Sequence, residues 1–302
     1  MRKWGRIIWG VIGLGVIAMA ADAFWFEPRS TVVSEFDVEV PAWPKDTAPL
    51  RVVLLSDIHV DDVHMPPERV RKIAEQVAGL KPDVILLAGD YIGGDVFKGR
   101  KEFGARPMRS PEMIALDEEG LRALDSFKAP LGTYAVMGNH DCWWDCDRVR
   151  EIFAETQVTF LENRAFRIER PSGDVWILGV EDGQTQNPDF PATAAQAPAG
   201  AATLTLTHNP GLFDWESNHA PIQLSGHSHA GQVRLPLIGA PVRVVRHTED
   251  TADGYEVING RILIVTRGLG SSGIPVRFGA PPQIMLLNIR PGTEAHVRPH
   301  QP

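Results

Sequence analysis

The sequence predicts an α/β domain of two packed sheets with helices outside them, preceded by an apolar N-terminal helix. Three observations point there. The first half alternates short branched-apolar runs with amphipathic stretches, the pattern of βα units. The second half holds mainly strand candidates separated by turn residues. Each cluster of chemistry-bearing residues falls at the end of a predicted strand, where α/β folds collect their ligands.

At the N-terminus, Met1-Arg2-Lys3-Trp4-Gly5-Arg6 is basic, and Ile7 to Ala21 is an uncharged, mostly apolar run. Asp22 interrupts it before Ala23-Phe24-Trp25-Phe26. The span from Ile7 to Phe26 approaches the ~20 residues a helix needs to cross a bilayer. Trp9 and Trp25 suit the two interfaces, and the positive flank would stay cytoplasmic. Ala18-Met19-Ala20 also has the small-x-small pattern of signal-peptide cleavage, so a cleaved leader stands beside a retained single-pass anchor. Either reading exports the rest of the chain to the periplasm or cell exterior.

The connection that follows is punctuated by proline and holds one strand-like run, Ser34 to Val40. Leu50 to Ser56 is branched and apolar, the mark of a buried strand, and it ends in Asp57-Ile58-His59. Pro66-Pro67-Glu68 opens a helix to about Leu80, with Val70, Ile73, Ala74 and Val77 on its core face. Asp83 to Ala88 is the next strand and ends in Gly89-Asp90. Gly93 to Ser110 is a loop carrying Lys98, Arg100, Lys101, Arg106 and Arg109, read as a solvated surface or as a basic flap over an anionic substrate. Pro111 to Lys128 is helical, and Thr133 to Met137 is a strand running into Gly138-Asn139-His140-Asp141. A helix is expected from about Asp147 to Glu155. Strands follow at Val158–Leu161, Ala165–Arg170, Val175–Val180, Leu204–Thr207, Pro221–Leu224, Ile262–Thr266 and Gln283–Ile289, with Pro191 to Ala202 an Ala/Pro-rich loop. The domain organisation is thus an anchor or signal segment over 1–27, a linker over 28–48, the catalytic domain over 49–292 and a tail over 293–302.

At 302 residues, 43% hydrophobic and 23% charged, the chain has ample material for a core. A net charge of -8 argues against a general nucleic-acid binder and leaves many carboxylates for cations. Cys142 and Cys146 are the two cysteines; a disulfide and a pair of free thiols both remain open from spacing alone.

In Gly226-His227-Ser228-His229, an i, i+2 spacing lets both imidazoles face one site if the segment is extended. Flanking glycines let other groups approach the backbone closely. With the earlier strand ends, the set is Asp57, His59, Asp90, Asn139, His140, His208, His227 and His229. Any one of these histidines alone is better read as a core or turn residue. Together, mixed imidazole, carboxylate and amide donors suit Mn, Fe, Zn or Ni, and eight groups exceed the needs of one ion.

Taken in order, Asp57-x-His59, Gly89-Asp90, Gly138-Asn139-His140-Asp141, His208 and Gly226-His227-x-His229 resemble the signature of the calcineurin-like metallophosphoesterase superfamily. The resemblance implies a four-layer α/β/β/α sandwich and two divalent metal ions. It implies one metal on Asp57, His59, Asp90 and His229, and the other on Asp90, Asn139, His208 and His227, with Asp90 as the bridge. A hydroxide between the ions would attack phosphorus, with His140 at the leaving group and Asp141 orienting it. Glu27-Pro28, Thr207-His208-Asn209-Pro210, Gly231 to Pro236, Arg267-Gly268-Leu269-Gly270 and Pro275 to Pro282 further resemble the bacterial YkuE/YaeI-like, membrane-associated branch. That branch implies a phosphodiesterase or a nucleotide-sugar-lipid pyrophosphatase in the bacterial cell membrane. A phosphomonoesterase and a non-catalytic module on the same fold are the rival readings. Trp143 and Trp144 suit either stacking on substrate or packing, Arg267 and Arg277 either a phosphate clamp or structural pairing, and Asp182 a turn.

Overall fold

The computed structural model describes residues 2–41, 43–93, 109–215, 219–241 and 253–301. The chain opens with α1 (Arg2–Ala21), which continues through a π-helical turn (Asp22–Phe26) into a short 3₁₀ turn (Glu27–Arg29). The span Arg6–Arg29 is long and apolar enough to cross a membrane, and none of its most apolar window is buried against the domain. Its C-terminal end is tied down: the Arg277 amide donates to the Ala23 carbonyl (3.0 Å), and the Glu27 carboxylate accepts from the Gly279 and Ala280 amides (2.8 and 2.6 Å).

The first sheet has seven strands in the order β13-β1-β12-β2-β3-β4-β5. These are β1 (Val32–Val40), β2 (Leu50–Leu55), β3 (Val84–Leu87), β4 (Thr133–Ala135), β5 (Thr159–Phe160), β12 (Gln283–Pro291) and β13 (His296–Pro299). The second has six, β10-β11-β9-β8-β7-β6, from β6 (Arg164–Ile168), β7 (Val175–Gly179), β8 (Ala202–Leu206), β9 (Ile222–Ser225), β10 (Gly254–Ile258) and β11 (Arg261–Val265). Helices α2 (Pro67–Gly79), α3 (Pro111–Ala123) and α4 (Asn139–Ala154) cover the first sheet, and α5 (Phe190–Ala194) with a 3₁₀ turn (Pro210–Asp214) covers the second.

Two-residue periodicity explains the layering. Val53, Leu55, Ile85 and Leu87 point to the helices and join their core, while Val52, Leu54, Val84 and Leu86 point into the inter-sheet core. Both faces of β2 and β3 are buried, which is why they read as continuous apolar runs. The architecture is the expected α/β/β/α sandwich, with its outer layer over the second sheet thinned to one short helix and a turn.

Several expectations need correcting. The stretch expected as a linker, 28–48, supplies β1, which pairs in parallel with β12 along nine residues. The expected tail, 293–302, supplies β13, antiparallel to β1. Both therefore belong to the folded domain, because β1 needs partners on both sides to satisfy its backbone. Helix α4 is two segments, and its second matches the helix expected from about Asp147; the unexpected one is the first, which begins at Asn139, so the histidine block opens a helix. A break at Asp145 (φ -174°, ψ 98°) splits it. An unbroken helix would hold Cys142 and Cys146 roughly 6 Å apart; across the break their Cα atoms approach to 4.2 Å and the two form a disulfide. Strand β10 arises from a hairpin whose Asn259-Gly260 turn has both φ angles positive, and α5 occupies the start of the expected Pro191–Ala202 loop, beginning one residue before it. Of the expected basic loop, Lys98, Arg100, Lys101 and Arg106 lie outside the described residues. Arg109 is buried in an ion pair with Asp117 (2.5 Å).

Candidate metal centre

The strand ends bring the predicted set together between the two sheets. Asp57 and His59 follow β2, Asp90 follows β3, and Asn139 and His140 open α4 just beyond β4. His208 follows β8, and His227 and His229 follow β9. Asp57, His59 and His208 are fully buried, and Asp90, Asn139, His227 and His229 are at most 5% exposed; His140 is half-buried. Asp57, His59, Asp90, His227 and His229 all have positive φ, between 45° and 72°. Aspartate, asparagine and histidine tolerate this region better than most residues, yet each instance costs roughly 1–3 kcal/mol. Backbone amides hold the strained turns, Asp57 N donating to Gly89 O (2.9 Å), His59 N to Asp90 O (3.1 Å) and His227 N to the Asp57 carboxylate Oδ2 (2.9 Å).

The strained turns turn acceptor atoms toward one another. His59 Nδ1 lies 3.0 Å from the Ile92 carbonyl and His208 Nδ1 2.7 Å from the Ala88 carbonyl. A carbonyl only accepts, so both rings donate from Nδ1 and turn Nε2 toward the site. There His59 Nε2 meets His229 Nε2 at 3.0 Å, and His208 Nε2 meets His227 Nδ1 at 3.0 Å. Asp90 Oδ2 lies 3.6 Å from His59 Nε2 and 3.2 Å from His208 Nε2, between the two imidazole pairs. Asp57 Oδ1 is 3.3 Å from His229 Nε2. Asn139 Oδ1 is buried and accepts no hydrogen bond from any described residue. Lone pairs converging with too few protons form the donor set of divalent cations, and the residues fit two such ions. The clusters Asp57/His59/His229 and Asp90/His208/His227 each close within 4.8 Å, as does a third, His59/Asp90/His140.

Electrostatics follow the same logic. Burial opposes ionising Asp57 and Asp90, but the histidines facing them outweigh it and hold both carboxyls well below the usual range. Burial, and then His140, pushes His59 down to about 3; burial, and then His208, pushes His227 down to about 4. Both are therefore neutral at physiological pH. Burial also opposes charge on His208, but Asp90 overrides it and lifts that histidine to about 10. Bound cations would take over this neutralisation of Asp90.

His140 holds its place by donating its backbone N–H to Asp90 Oδ1 (2.8 Å), with its ring edge-on to His59 and tilted against Trp143. The role expected for Asp141 is corrected. Its carboxylate accepts from the Asp90, Tyr91, Ile92 and Gly138 amides (2.8–3.1 Å) and makes no hydrogen bond with His140. It sits in the first turn of α4, aimed at the neighbouring loop, and clamps the backbone that carries Asp90.

Residues that sequence reasoning missed complete the surroundings. Ser272 Oγ lies 3.3 Å from His140 Nε2, and the Gln232 side chain accepts from Ser272 N (2.8 Å). Gln184 reaches His227 Nε2 (2.9 Å) from a turn held by Asp182. Gln232 was visible beside the histidine motif, but Ser272 and Gln184 carry no local signal. Arg277 is fully buried, donates to the Arg267, Gly270 and Ala280 carbonyls and lies 3.4 Å through Nη2 from His229 Nδ1, so it supports these loops and a candidate ligand ring, while Arg267 pairs with Asp253 (2.5 Å). Trp144 is core, and Trp143 stands 42% exposed beside His140.

The glycines matter through close approach. A Cβ on Gly226 would overlap Ser56 Oγ and lie 2.5 Å from Asp57 Oδ2. Gly226→Ala is therefore expected to lose roughly 1–3 kcal/mol of stability and part of the bound metal. Thermal melts and metal analysis check this against Gly79→Ala, where a Cβ meets nothing within 4 Å. Equal behaviour of the two variants would contradict the packing account.

A sandwich with a buried carboxylate–imidazole cluster at its strand ends has the donor set of a metal-dependent hydrolase. The chain belongs to the calcineurin-like phosphoesterase family, whose model matches residues 50–231. It is 28% identical to the uncharacterized metallophosphoesterase YkoQ of Bacillus subtilis over 78% of this chain and 82% of the relative. It is 23% identical to YkuE of the same organism over 96% and 97%, and 29% identical to the phosphodiesterase YaeI of Escherichia coli over 81% and 83%. The chain is a metallophosphoesterase.

Proposed function

We propose that this enzyme is a membrane-anchored, two-metal phosphodiesterase whose natural substrate is a lipid-linked or nucleotide-sugar diphosphate. One metal would sit on Asp57, His59, Asp90 and His229, the other on Asp90, Asn139, His208 and His227. The observation that carries the reading is the buried, unpartnered Asn139 Oδ1 beside two face-to-face imidazole pairs. When bound, the ions neutralise phosphoryl charge and activate water for in-line attack. Asp90 spans the two halves of the site and orients His140 through its backbone N–H. His140 gives a proton or hydrogen bond to the departing oxygen, and Ser272 Oγ steadies its Nε2. The name of the Escherichia coli relative favours a diester over a monoester. The apolar Arg6–Arg29 helix supports a membrane anchor, and a basic flank that stays cytoplasmic would place the domain outside the cell membrane.

The test is metal-stripped protein reloaded with Mn, Fe, Zn or Ni and assayed on bis- and mono-p-nitrophenyl phosphate and on UDP-diacylglucosamine. Chelation is expected to abolish diester hydrolysis and the divalent ion to restore it. Absence of diester and pyrophosphate hydrolysis with every metal would sink the reading.

A further inference from the structure

Large apolar side chains stand in solvent on a connected set of loops around the end of the N-terminal helix. Leu237 is fully exposed and Ile238 is 70% exposed, at the tip of a turn closed by Leu235 and Gly239. Ile274 and Val63 are each 45% exposed, and Phe24, Trp25 and Phe26 are more than half exposed. Hydrogen bonds join these segments. Arg29 donates to the Val63 carbonyl (2.8 Å) and lies over the Trp25 ring. His64 Nε2 meets the Pro275 carbonyl (3.1 Å), Gln232 donates to the Ile274 carbonyl (2.9 Å), and Arg234 N reaches Phe278 O beside the Leu235 turn. The Arg277 amide closes the circuit on Ala23.

From this we infer that Val63, Leu237, Ile238 and Ile274, with Phe24 to Phe26, form a surface that rests on the lipid bilayer. The inference depends on the anchor reading above. Clustered exposed apolar side chains mark an interaction face. Continuity with the apolar helix selects lipid as the occupant: its last turn is hydrogen-bonded to the loops, which fixes them near the depth at which the helix leaves the membrane. An aromatic run beside an arginine with an apolar stem is the composition of that interface. Ser272, which touches His140, is two residues from Ile274, so the same loop faces the bilayer and the site. A phosphoester in the headgroup plane then lies within reach of the centre.

Full-chain protein carrying Leu237→Cys or Ile274→Cys tests this, since both native cysteines are held in the disulfide. Each variant is labelled with an NBD fluorophore and reconstituted in phosphatidylethanolamine/phosphatidylglycerol vesicles. Glu169→Cys is the control: Ile168 pairs with Val175 at the start of β7, so Glu169 lies at the end of the sheet away from the site. Blue-shifted emission that doxyl-labelled lipid quenches is expected at 237 and 274, and not at 169. A chain that floats with the vesicles while the labels at 237 and 274 stay as water-exposed as the control overturns this proposal alone. A chain that does not float overturns the anchor and the proposal with it.

Discussion

Asp90→Ala is expected to remove metal and turnover together. Its Oδ2 lies between the two imidazole pairs and its Oδ1 receives the His140 amide, so one substitution opens both halves of the site. Losing the charge stabilisation of the metal pair forfeits several kcal/mol in the transition state. A loss of about 4 kcal/mol is a drop in kcat of about 10³-fold. Metal content should fall from two ions per chain to one or fewer. Asp90→Asn keeps the shape and the Oδ1 acceptor, and should still lose metal, which separates lost charge from a disturbed fold. Wild-type metal content in both variants would remove Asp90 from its assigned role.

His140→Ala is expected to spare the metal and cost about 10²–10⁴-fold in kcat, the usual worth of a positioned acid or hydrogen-bond donor. His140 also falls within 4.8 Å of ligand atoms on His59 and Asp90, so a ligand role has a geometric basis. Metal analysis decides: loss of an ion from His140→Ala would make it a ligand, and unchanged turnover would remove it from the chemistry altogether. A leaving group with a low pKa, such as p-nitrophenolate, needs less protonation. The deficit should therefore be smaller for activated diesters than for UDP-diacylglucosamine.

Much of the site was legible because its ligands come as short blocks directly after strands. Val52 to Leu55 and Val84 to Leu87 are buried on both faces, so their apolar runs stand out and mark where the chain must turn. The polar residues at those turns then had a shared location by fold class alone. The partner strands were less legible. β1 and β13 are amphipathic and short of continuous apolar signal, and their place in the sheet depends on pairing with β12 and with each other, some 250 residues apart in sequence for β1 and β12. The Asn259-Gly260 turn that makes β10 was a readable hairpin signal that the apolar pattern of its strand did not support.

The family, the two-sheet α/β architecture and the residues that meet at the strand ends are all readable from the chain's residues. Strand periodicity and donor chemistry are local properties and need no coordinates. How those residues act on one another depends on the folded arrangement. Asp141 has the same chemistry as Asp90 and lies beside His140 in sequence, yet four backbone amides of two loops converge on it and make it a clamp. Arg277 passed equally for a phosphate clamp until its donors were found on buried carbonyls and beside the His229 ring. Ser272 and Gln184 reach the site from loops with no signature of their own. A side chain's role follows from which donors and acceptors surround it, and that is fixed by contacts between segments far apart in the chain.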